Sequence, residues 1–313
     1  MISAQHLYPA GQVTLREVGL RDGLQLVRRF PSTEAKKQWL RQEFAAGVRH
    51  FEVGSFLPAS RMPQFADVRE LIAETARLGA WSSALALNER GAMDACAAGV
   101  DEIINVISAT EEHSQANMRR SRADAVELVR RSKALSAASD HKPLVNAGIA
   151  MAFGCSIAGE VKPEDVLRLA EGCLEAGADA IGVADTVGFA GPTQVAALTR
   201  QLVDLCGDIP VLVHLHDTRG MAVVNAAAAI DAGARALDGS LGGLGGCPFA
   251  PGATGNAVFE DLVFLCERMG VPTGIDLAAL IAVRRILETE MPEEELHGAL
   301  ARSGLPPRVK WTA

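Results

Sequence analysis

The sequence is poor in aromatic residues, in basic charge and in long uninterrupted apolar runs. Aromatic residues make up 4% of the 313 residues, so the core must be aliphatic. The 30 Lys and Arg are outnumbered by 38 Asp and Glu, which gives a formal net charge of −8. This balance argues against a nucleic-acid partner, because duplex binding normally needs a basic face. With 49% hydrophobic and 22% charged residues, long disorder and a fibrous structure are also excluded.

Paired cysteines and a membrane-spanning segment are missing as well. The six cysteines have no paired spacing, so a disulfide framework is not indicated. The longest uncharged stretch, Gly239–Phe259, contains seven Gly and two Pro, which indicates a loop and not a membrane helix. Residues Met1–Gly11 have no basic segment followed by an apolar run, so no secretory signal is predicted. We therefore expect a cytoplasmic protein with no membrane partner.

What the sequence does contain is a repeated alternation of short apolar runs with longer amphipathic stretches. The predicted strands are Val13–Gly19, Val48–Gly54, Ala80–Leu87, Glu102–Ser108, Leu144–Ala152, Ala180–Ala184, Val211–His216 and Arg235–Leu241. The predicted helices are Thr33–Ala46, Pro63–Leu78, Glu89–Ala98, Arg122–Ser136, Pro163–Ala176, Pro192–Leu205, Met221–Ala232 and Asn256–Met269. Four helices end in Ala-Gly directly before a strand, at Gly47, Gly99, Gly177 and Gly233. A left-handed residue is expected at these four positions.

Eight strand–helix units predict an α/β protein with a parallel sheet closed into a (β/α)₈ TIM barrel. A doubly wound open sheet is the alternative, but it needs fewer units, and no Gly-rich dinucleotide fingerprint follows the first strand. We predict a single catalytic domain over residues 1–313, with the barrel at about 13–270 and a short accessory helical tail at about 271–313.

Polar residues concentrate at the predicted carboxyl ends of the strands, where barrels of this kind place their active sites. His214 and His216 are two apart on one strand, so both imidazoles face the same side. Together with the carboxylate of Asp22 and the amide oxygen of Asn256, they form a mixed nitrogen and oxygen donor set. Such a set favours Mg²⁺ or Mn²⁺ over a closed zinc site. The alternative is a histidine that only makes hydrogen bonds in the core.

Three further charged residues follow strands. Arg21 precedes Asp22 and a glycine, and a fixed guanidinium near a metal stabilises an enolate oxygen as it gains charge. Glu52 and Asp185 lie at the ends of the second and sixth strands. Each is expected to orient a ligand, to act as a base, or simply to pair with Arg21.

Cys247 differs from most of the other cysteines because it lies in a Gly-rich loop. A thiol near a cation or a metal can act as a general acid or base near neutral pH, and the flanking glycines would let the loop close over a substrate. An idle thiol in a buried turn is the alternative. Cys155, after the fifth strand, is the second candidate by position.

Three motifs together resemble the 3-hydroxy-3-methylglutaryl-CoA lyase family, which comprises metal-dependent Claisen-type barrel enzymes. They are Glu17-Val18-Gly19-Leu20-Arg21-Asp22-Gly23-Leu24-Gln25, His214-Leu215-His216-Asp217-Thr218 and Gly245-Gly246-Cys247-Pro248-Phe249-Ala250 through Gly255-Asn256. The resemblance covers about Val13 to Gly274. It implies a divalent metal at Asp22, His214, His216 and Asn256, catalytic roles for Arg21 and Cys247, and supporting roles for Glu52 and Asp185.

The function implied is cleavage of a 3-hydroxy-acyl-CoA resembling 3-hydroxy-3-methylglutaryl-CoA. The products would be acetyl-CoA and a 3-oxo acid such as acetoacetate. The chain departs from the family pattern in loops that are expected to contact the acyl chain or CoA. It has Leu26-Val27 where the family usually has Asn-Glu, Ser156-Ile157-Ala158 where it has Pro-Tyr-Glu, and Arg219-Gly220-Met221 where it often has Tyr-Gly-Gln. A lyase for another hydroxyacyl-CoA, such as citramalyl-CoA or a longer branched analogue, is therefore the alternative. A non-catalytic barrel that binds acyl-CoA or metal is a further one, and the oligomeric state stays open, with a homo-oligomer as one option.

Overall fold

The computed structural model describes residues 3–245 and 255–307. Its eight strands close into a parallel barrel in chain order, each paired with the next and β8 with β1. The strands are β1 Thr14–Glu17, β2 His50–Ser55, β3 Trp81–Leu85, β4 Glu102–Ser108, β5 Leu144–Ala150, β6 Ala180–Asp185, β7 Val211–Leu215 and β8 Ala236–Gly239. The predicted (β/α)₈ barrel is confirmed, and the open sheet is excluded by the β1–β8 pairing.

Helices follow the strands and cover the outside of the barrel. They are α1 Ala4–Leu7, α2 Thr33–Ala45, α3 Val68–Leu78, α4 Glu89–Ala98, α5 Glu111–Met118, α6 Arg122–Ala138, α7 Pro163–Glu175, α8 Pro192–Cys206, α9 Ala222–Asp231, α10 Phe259–Arg268, α11 Leu277–Glu290 and α12 Ala299–Ser303. Among the described residues, no helix is long and apolar enough to cross a membrane.

The four predicted Ala-Gly helix ends are confirmed. Gly47, Gly99, Gly177 and Gly233 all have positive φ angles, between 74° and 111°. In this conformation a side chain is strained, whereas glycine adopts it at little cost. Each helix therefore stops where the next strand must begin.

Two predicted helices start differently, and two helices before the tail, the short α1 and α5, were not predicted. A separate 3₁₀ turn, Pro63–Phe65, precedes α3, and α10 begins at Phe259 where the sequence predicted Asn256. The unpredicted helix α5 lies between β4 and α6. The sequence does carry a capping residue at its start, because the Thr110 hydroxyl accepts a hydrogen bond from the His113 amide. The polar composition of the helix made this signal hard to recognise.

The N-terminal segment closes the amino-terminal end of the barrel. Leu7 and Tyr8 are buried and pack against residues at the start of four strands: Leu144, Ala180, Leu212 and Ala236. This segment therefore covers the starts of these four strands, at the end of the barrel opposite to the carboxyl ends of the strands. At the other end of the chain, the Asp276 amide donates to Ala46 O at 2.7 Å, so the start of α11 is joined to the end of α2.

Candidate active site

A cavity of about 570 Å³ opens at the carboxyl ends of the strands. Among the site residues predicted from the sequence, those on its wall are Arg21, Asp22, Glu52, His214 and His216. A volume of this size is typical of a small-molecule binding site.

Arg21 and Asp22 are presented by a single π-helical turn, Gly19–Gly23, directly after β1. The carbonyl of Val18 accepts the amide hydrogens of Arg21, Asp22 and Gly23. Such turns occur mostly at functional sites. Gly19 is required here, since a Cβ atom would lie 2.5 Å from Glu17 Oε1 and 2.7 Å from the ring of Trp39.

The two predicted histidines and Asp22 converge at the cavity mouth. His214 Nε2 lies 3.1 Å from His216 Nε2 and 3.3 Å from Asp22 Oδ2, and the three donors are mutually close enough to bind one ion. Neighbouring ligands at about 2.1 Å from an octahedral ion are separated by about 3 Å. The spacing of the three donors therefore fits a divalent cation.

Asn256 lies beside this triad, and its backbone pairs with that of His216. Its Nδ2 donates to Leu244 O at 3.1 Å, which fixes the amide, while the buried Oδ1 has no hydrogen-bond partner. An unsatisfied buried oxygen is costly, and a cation would satisfy it. Gly245 lets this amide approach, because a Cβ there would lie 2.7 Å from Asn256 Nδ2 and its φ is +113°.

Two of the three groups, Asp22 and His216, have the ionisation that cation binding requires. Burial opposes the charge on Asp22, but Arg21 and His214 outweigh it and lower the pKa of its carboxyl. Burial and the neighbouring His214 lower the pKa of His216 to about 4, so this imidazole is neutral near pH 7. Burial also acts against the charged form of His214, yet Asp238 and Asp22 raise its pKa. An ion at the site would therefore compete with a proton on His214.

Arg21 is held by Glu52 in a two-point ion pair. Arg21 Nε lies 2.6 Å from Glu52 Oε1, and Nη2 lies 3.0 Å from Oε2. A paired guanidinium of this kind has a fixed orientation. Burial works against its charge, but Asp22 and Glu52 raise the pKa of Arg21, so it stays a cation on the cavity wall.

Asp185 is placed differently from the other predicted residues. Its carboxylate accepts the amide hydrogens of Phe189 at 2.8 Å and Ala190 at 3.0 Å, and its side chain does not line the cavity. Its neighbours Ala184 and Thr186 do. The alternation of side chains along β6 accounts for this, because residues one apart face opposite sides of a strand.

Of the two predicted cysteines, Cys247 lies outside the described residues. Cys155 is buried, with its Sγ 3.2 Å from Thr110 Oγ1 and within 3.4 Å of the amide nitrogens of Ile157 and Ala158. It does not line the cavity. These contacts hold a turn together, and they give Cys155 a structural surrounding.

Two residues of the site were not predicted. Asp238 Oδ2 lies 3.1 Å from His214 Nδ1, and Arg16 bonds Asp238 with both Nε and Nη2 at 2.8 Å. Burial alone would raise the pKa of Asp238, but Arg16 and His214 hold it well below its usual range. The signal available in the sequence was a charged residue in the interior of each of two predicted strands, Arg16 in the first and Asp238 in the eighth.

Comparisons with known proteins agree with this geometry. The sequence model of the HMGL-like family matches residues 12–287. The chain belongs to the HMGL-like family. An (R)-citramalyl-CoA lyase of Chloroflexus aurantiacus is 42% identical over 86% of this chain and 88% of that protein. A hydroxymethylglutaryl-CoA lyase of Bacillus subtilis is 34% identical over 91% of this chain and 94% of that protein.

A solved structure gives the same result. The HMG-CoA lyase of Acinetobacter baumannii, in complex with coenzyme A and 3-methylmalate, is 34% identical, with a TM-score of 0.86 over 96% of this chain and 98% of that chain. The resemblance inferred from the three motifs is thus confirmed. These relatives are carbon–carbon lyases, and the HMGL-like protein described here is an enzyme of that class.

Proposed function

We propose that this protein is a metal-dependent lyase that cleaves the C2–C3 bond of a 3-hydroxy-acyl-CoA. The observation that carries the proposal is the convergence of Asp22, His214 and His216 beside the paired Arg21 and Glu52 in one cavity. The family relationship supports the same reaction class.

Asp22, His214, His216 and Asn256 are the proposed metal ligands, with Mg²⁺ or Mn²⁺ as the ion. When bound, the ion supplies Lewis-acid chemistry that lowers the pKa of the C3 hydroxyl of the substrate. The donor set fits such an ion because it combines two imidazoles, an ionised carboxylate and a buried amide oxygen with no partner of its own.

Arg21 is the proposed stabiliser of the enolate. As the C2–C3 bond breaks, its electron pair moves to C2, and negative charge develops on the thioester oxygen. A guanidinium that Glu52 already holds in place stabilises this charge without reorganising.

The proton of the C3 hydroxyl must leave as C3 becomes a carbonyl carbon. Glu52 and Asp185 were the two carboxylates that the sequence suggested for such roles. Of these two carboxylates Glu52 lines the cavity and Asp185 does not, so we place Glu52 in contact with the reacting groups. We give Asp185 the role of holding the turn between β6 and α8, through the amides of Phe189 and Ala190.

Cys247 is the proposed acid that donates a proton to C2 of the enolate and so completes acetyl-CoA. The proton of the hydroxyl is released to solvent and the thiolate takes up one proton from solvent, so the cycle balances without any oxidant or reductant. A thiol is suited to this role because its ordinary pKa of about 8.5 lies near neutral pH.

Two substrates are put forward. With 3-hydroxy-3-methylglutaryl-CoA the second product is acetoacetate, and with citramalyl-CoA it is pyruvate. The second substrate is favoured by the 42% identity to an (R)-citramalyl-CoA lyase. Leu26, which replaces the usual family Asn, lies on the cavity wall, so the wall departs from the family pattern at this position. Both substrates carry a methyl group on C3 and differ by one methylene in the acid arm.

The experiment is a turnover panel with both thioesters and a longer branched analogue, each with Mn²⁺ or Mg²⁺. Acetoacetate and pyruvate are measured separately, so the panel identifies the substrate by its product. Cys247→Ser is the matched variant, and we expect it to lose about 10²-fold or more in kcat. Full activity of that variant would remove the thiol from the reaction. Absence of turnover with every thioester, in a protein that still binds CoA or Mn²⁺, would support the non-catalytic barrel instead.

A further inference from the structure

Below the cavity mouth, a continuous set of hydrogen bonds crosses the inside of the barrel. We call Tyr8, Arg16, Glu102, Asn146 and Asp238 the floor network. All five residues are buried, with exposures of 5% or less. Charged and polar side chains in this position cost free energy unless they satisfy one another, so their mutual geometry carries the argument.

Glu102 is the end of the network nearest to the N-terminal segment. Its Oε2 accepts the Tyr8 hydroxyl at 2.5 Å and Arg16 Nη1 at 3.2 Å. Its Oε1 accepts Asn146 Nδ2 at 2.7 Å. Tyr8 belongs to the segment that closes the amino-terminal end of the barrel, so this segment is bonded to the interior and does more than cover it.

Arg16 joins the two acidic residues. It lies level with Asp238 in the pairing of β1 with β8, and it meets both carboxylate oxygens of Asp238 with Nε and Nη2 at 2.8 Å. This two-point contact fixes the plane of the carboxylate, and a lysine has no equivalent of it.

Asp238 carries the network to the metal site. It lies level with His214 in the pairing of β7 with β8, and its Oδ2 accepts the hydrogen of His214 Nδ1 at 3.1 Å. In the neutral ring the other nitrogen, Nε2, then carries the lone pair, and it is turned toward Asp22 and His216. The partner of a histidine's second nitrogen sets the tautomer and the direction of the ligating one.

We propose that Arg16 is a positioning residue for the metal ligand His214, acting through Asp238, and that Tyr8 fixes the opposite end of the network through Glu102. The inference rests on the proposed metal site. It adds that the affinity of this site depends on residues outside the proposed ligand set, including one in the N-terminal segment.

The test is Mn²⁺ affinity of the metal-free full chain, measured by electron paramagnetic resonance without substrate. Loss of a residue that orients a ligating histidine typically costs 10- to 100-fold in metal affinity. We expect a weakening in that range for Arg16→Lys and Arg16→Met, and a smaller one of about 2- to 5-fold for Tyr8→Phe. In turnover assays, excess Mn²⁺ should restore a large part of the activity lost by Arg16→Lys.

Lys36→Met is the matched control. Lys36 is 2% exposed and pairs with Asp67 at 2.9 Å between α2 and α3, outside the barrel. Its loss should lower the free energy of unfolding but leave Mn²⁺ affinity within about twofold of the wild type. If Arg16→Met does not fold, Arg16→Lys and Tyr8→Phe still provide the test. Lysine keeps the approximate size and the polarity of arginine, and phenylalanine keeps the ring of tyrosine.

The outcomes separate the two proposals. A wild-type protein that binds no Mn²⁺ would overturn the metal site and this inference together. A wild type that binds Mn²⁺ and turns over, with Arg16→Lys and Tyr8→Phe binding Mn²⁺ as tightly, would overturn the positioning role alone. An equal weakening in Lys36→Met would likewise overturn it, since the effect would then follow stability and not the network.

Discussion

The mouth of the barrel and its floor are built on the same strands, yet they differ in how charge is held. At the mouth, Asp22, His214 and His216 point their donors at one another across about 3 Å, and Asn256 leaves an oxygen without a partner. On the floor, Arg16 is matched by both Asp238 and Glu102. Ligand atoms of two histidines and a carboxylate that converge on one point indicate a place for a cation, whereas an arginine matched by two carboxylates indicates a scaffold. The difference assigns chemistry to the mouth and positioning to the floor.

The largest expected effect comes from removing a donor at the mouth. His214→Ala should lower kcat/KM by about 10³-fold or more, because several kcal/mol of metal stabilisation are lost. The same variant should lose Mn²⁺ binding. Activity assays and metal binding on the purified protein check both effects. Wild-type Mn²⁺ affinity in this variant would contradict the comparison, since it would place the ion elsewhere.

A second test sets apart two carboxylates that the sequence treated alike. Glu52→Gln should lower kcat by about 10²-fold or more, because Arg21 loses the partner that orients it beside the enolate. Asp185→Asn should cost less, about 10-fold, since its carboxylate holds a turn behind the cavity wall. Steady-state kinetics of the two variants provide the measurement. If Asp185→Asn proved the more damaging, Asp185 would have to reach the substrate by a rearrangement of that turn.

A third effect, on stability and not on activity, concerns two adjacent residues on β1. Arg16 is paired, whereas its neighbour Glu17, among the residues that the structure describes, accepts just the amides of Gly19 and Leu241, and burial raises its pKa to about 8. This folded pKa is above the unfolded value of about 4.3. The stability that Glu17 contributes is therefore complete below about pH 4 and is lost as the pH rises through about 8.

Glu17→Gln should weaken this pH dependence. We expect the free energy of unfolding of the wild type to fall between about pH 5 and 8. In the variant, the slope of this free energy against pH should be smaller by up to about 1.4 kcal/mol per pH unit. Denaturant unfolding of the metal-free protein at several pH values measures the slope. Identical slopes in the two proteins would show that Glu17 is already ionised in the folded state.

The sequence predicted the mouth far better than the floor, and the reason is physical. Strand–helix alternation fixes where strands end, and polar residues at those ends have no role in the core, so Arg21, Asp22, His214 and His216 stood out. Arg16, Glu102 and Asp238 lie within strands, where no local pattern shows which distant partner neutralises each charge. Their pairing depends on the closed barrel, which brings residues 86 and 222 positions apart into contact.

Asp185 shows a limit of a different kind. Its place at a strand end was read correctly, but its side chain faces the turn and not the cavity. Ala184 lies level with His214 in the β6–β7 pairing, so it is Ala184 that faces the cavity as His214 does. The alternation of side chains along a strand then predicts that Asp185, the next residue, faces away from it. Helix α5 was missed because its polar sequence has little apolar periodicity, and its capping Thr110 was the only strong local signal.

The central claim is a divalent cation held at the mouth by Asp22, His214, His216 and Asn256. The most direct measurement is anomalous diffraction at the manganese edge from crystals grown with Mn²⁺. The account predicts one strong peak at about 2.0 to 2.3 Å from the Asp22 carboxylate, both histidine Nε2 atoms and the Asn256 amide oxygen. A fully occupied peak elsewhere, or none at this site with Mn²⁺ in excess, would contradict it.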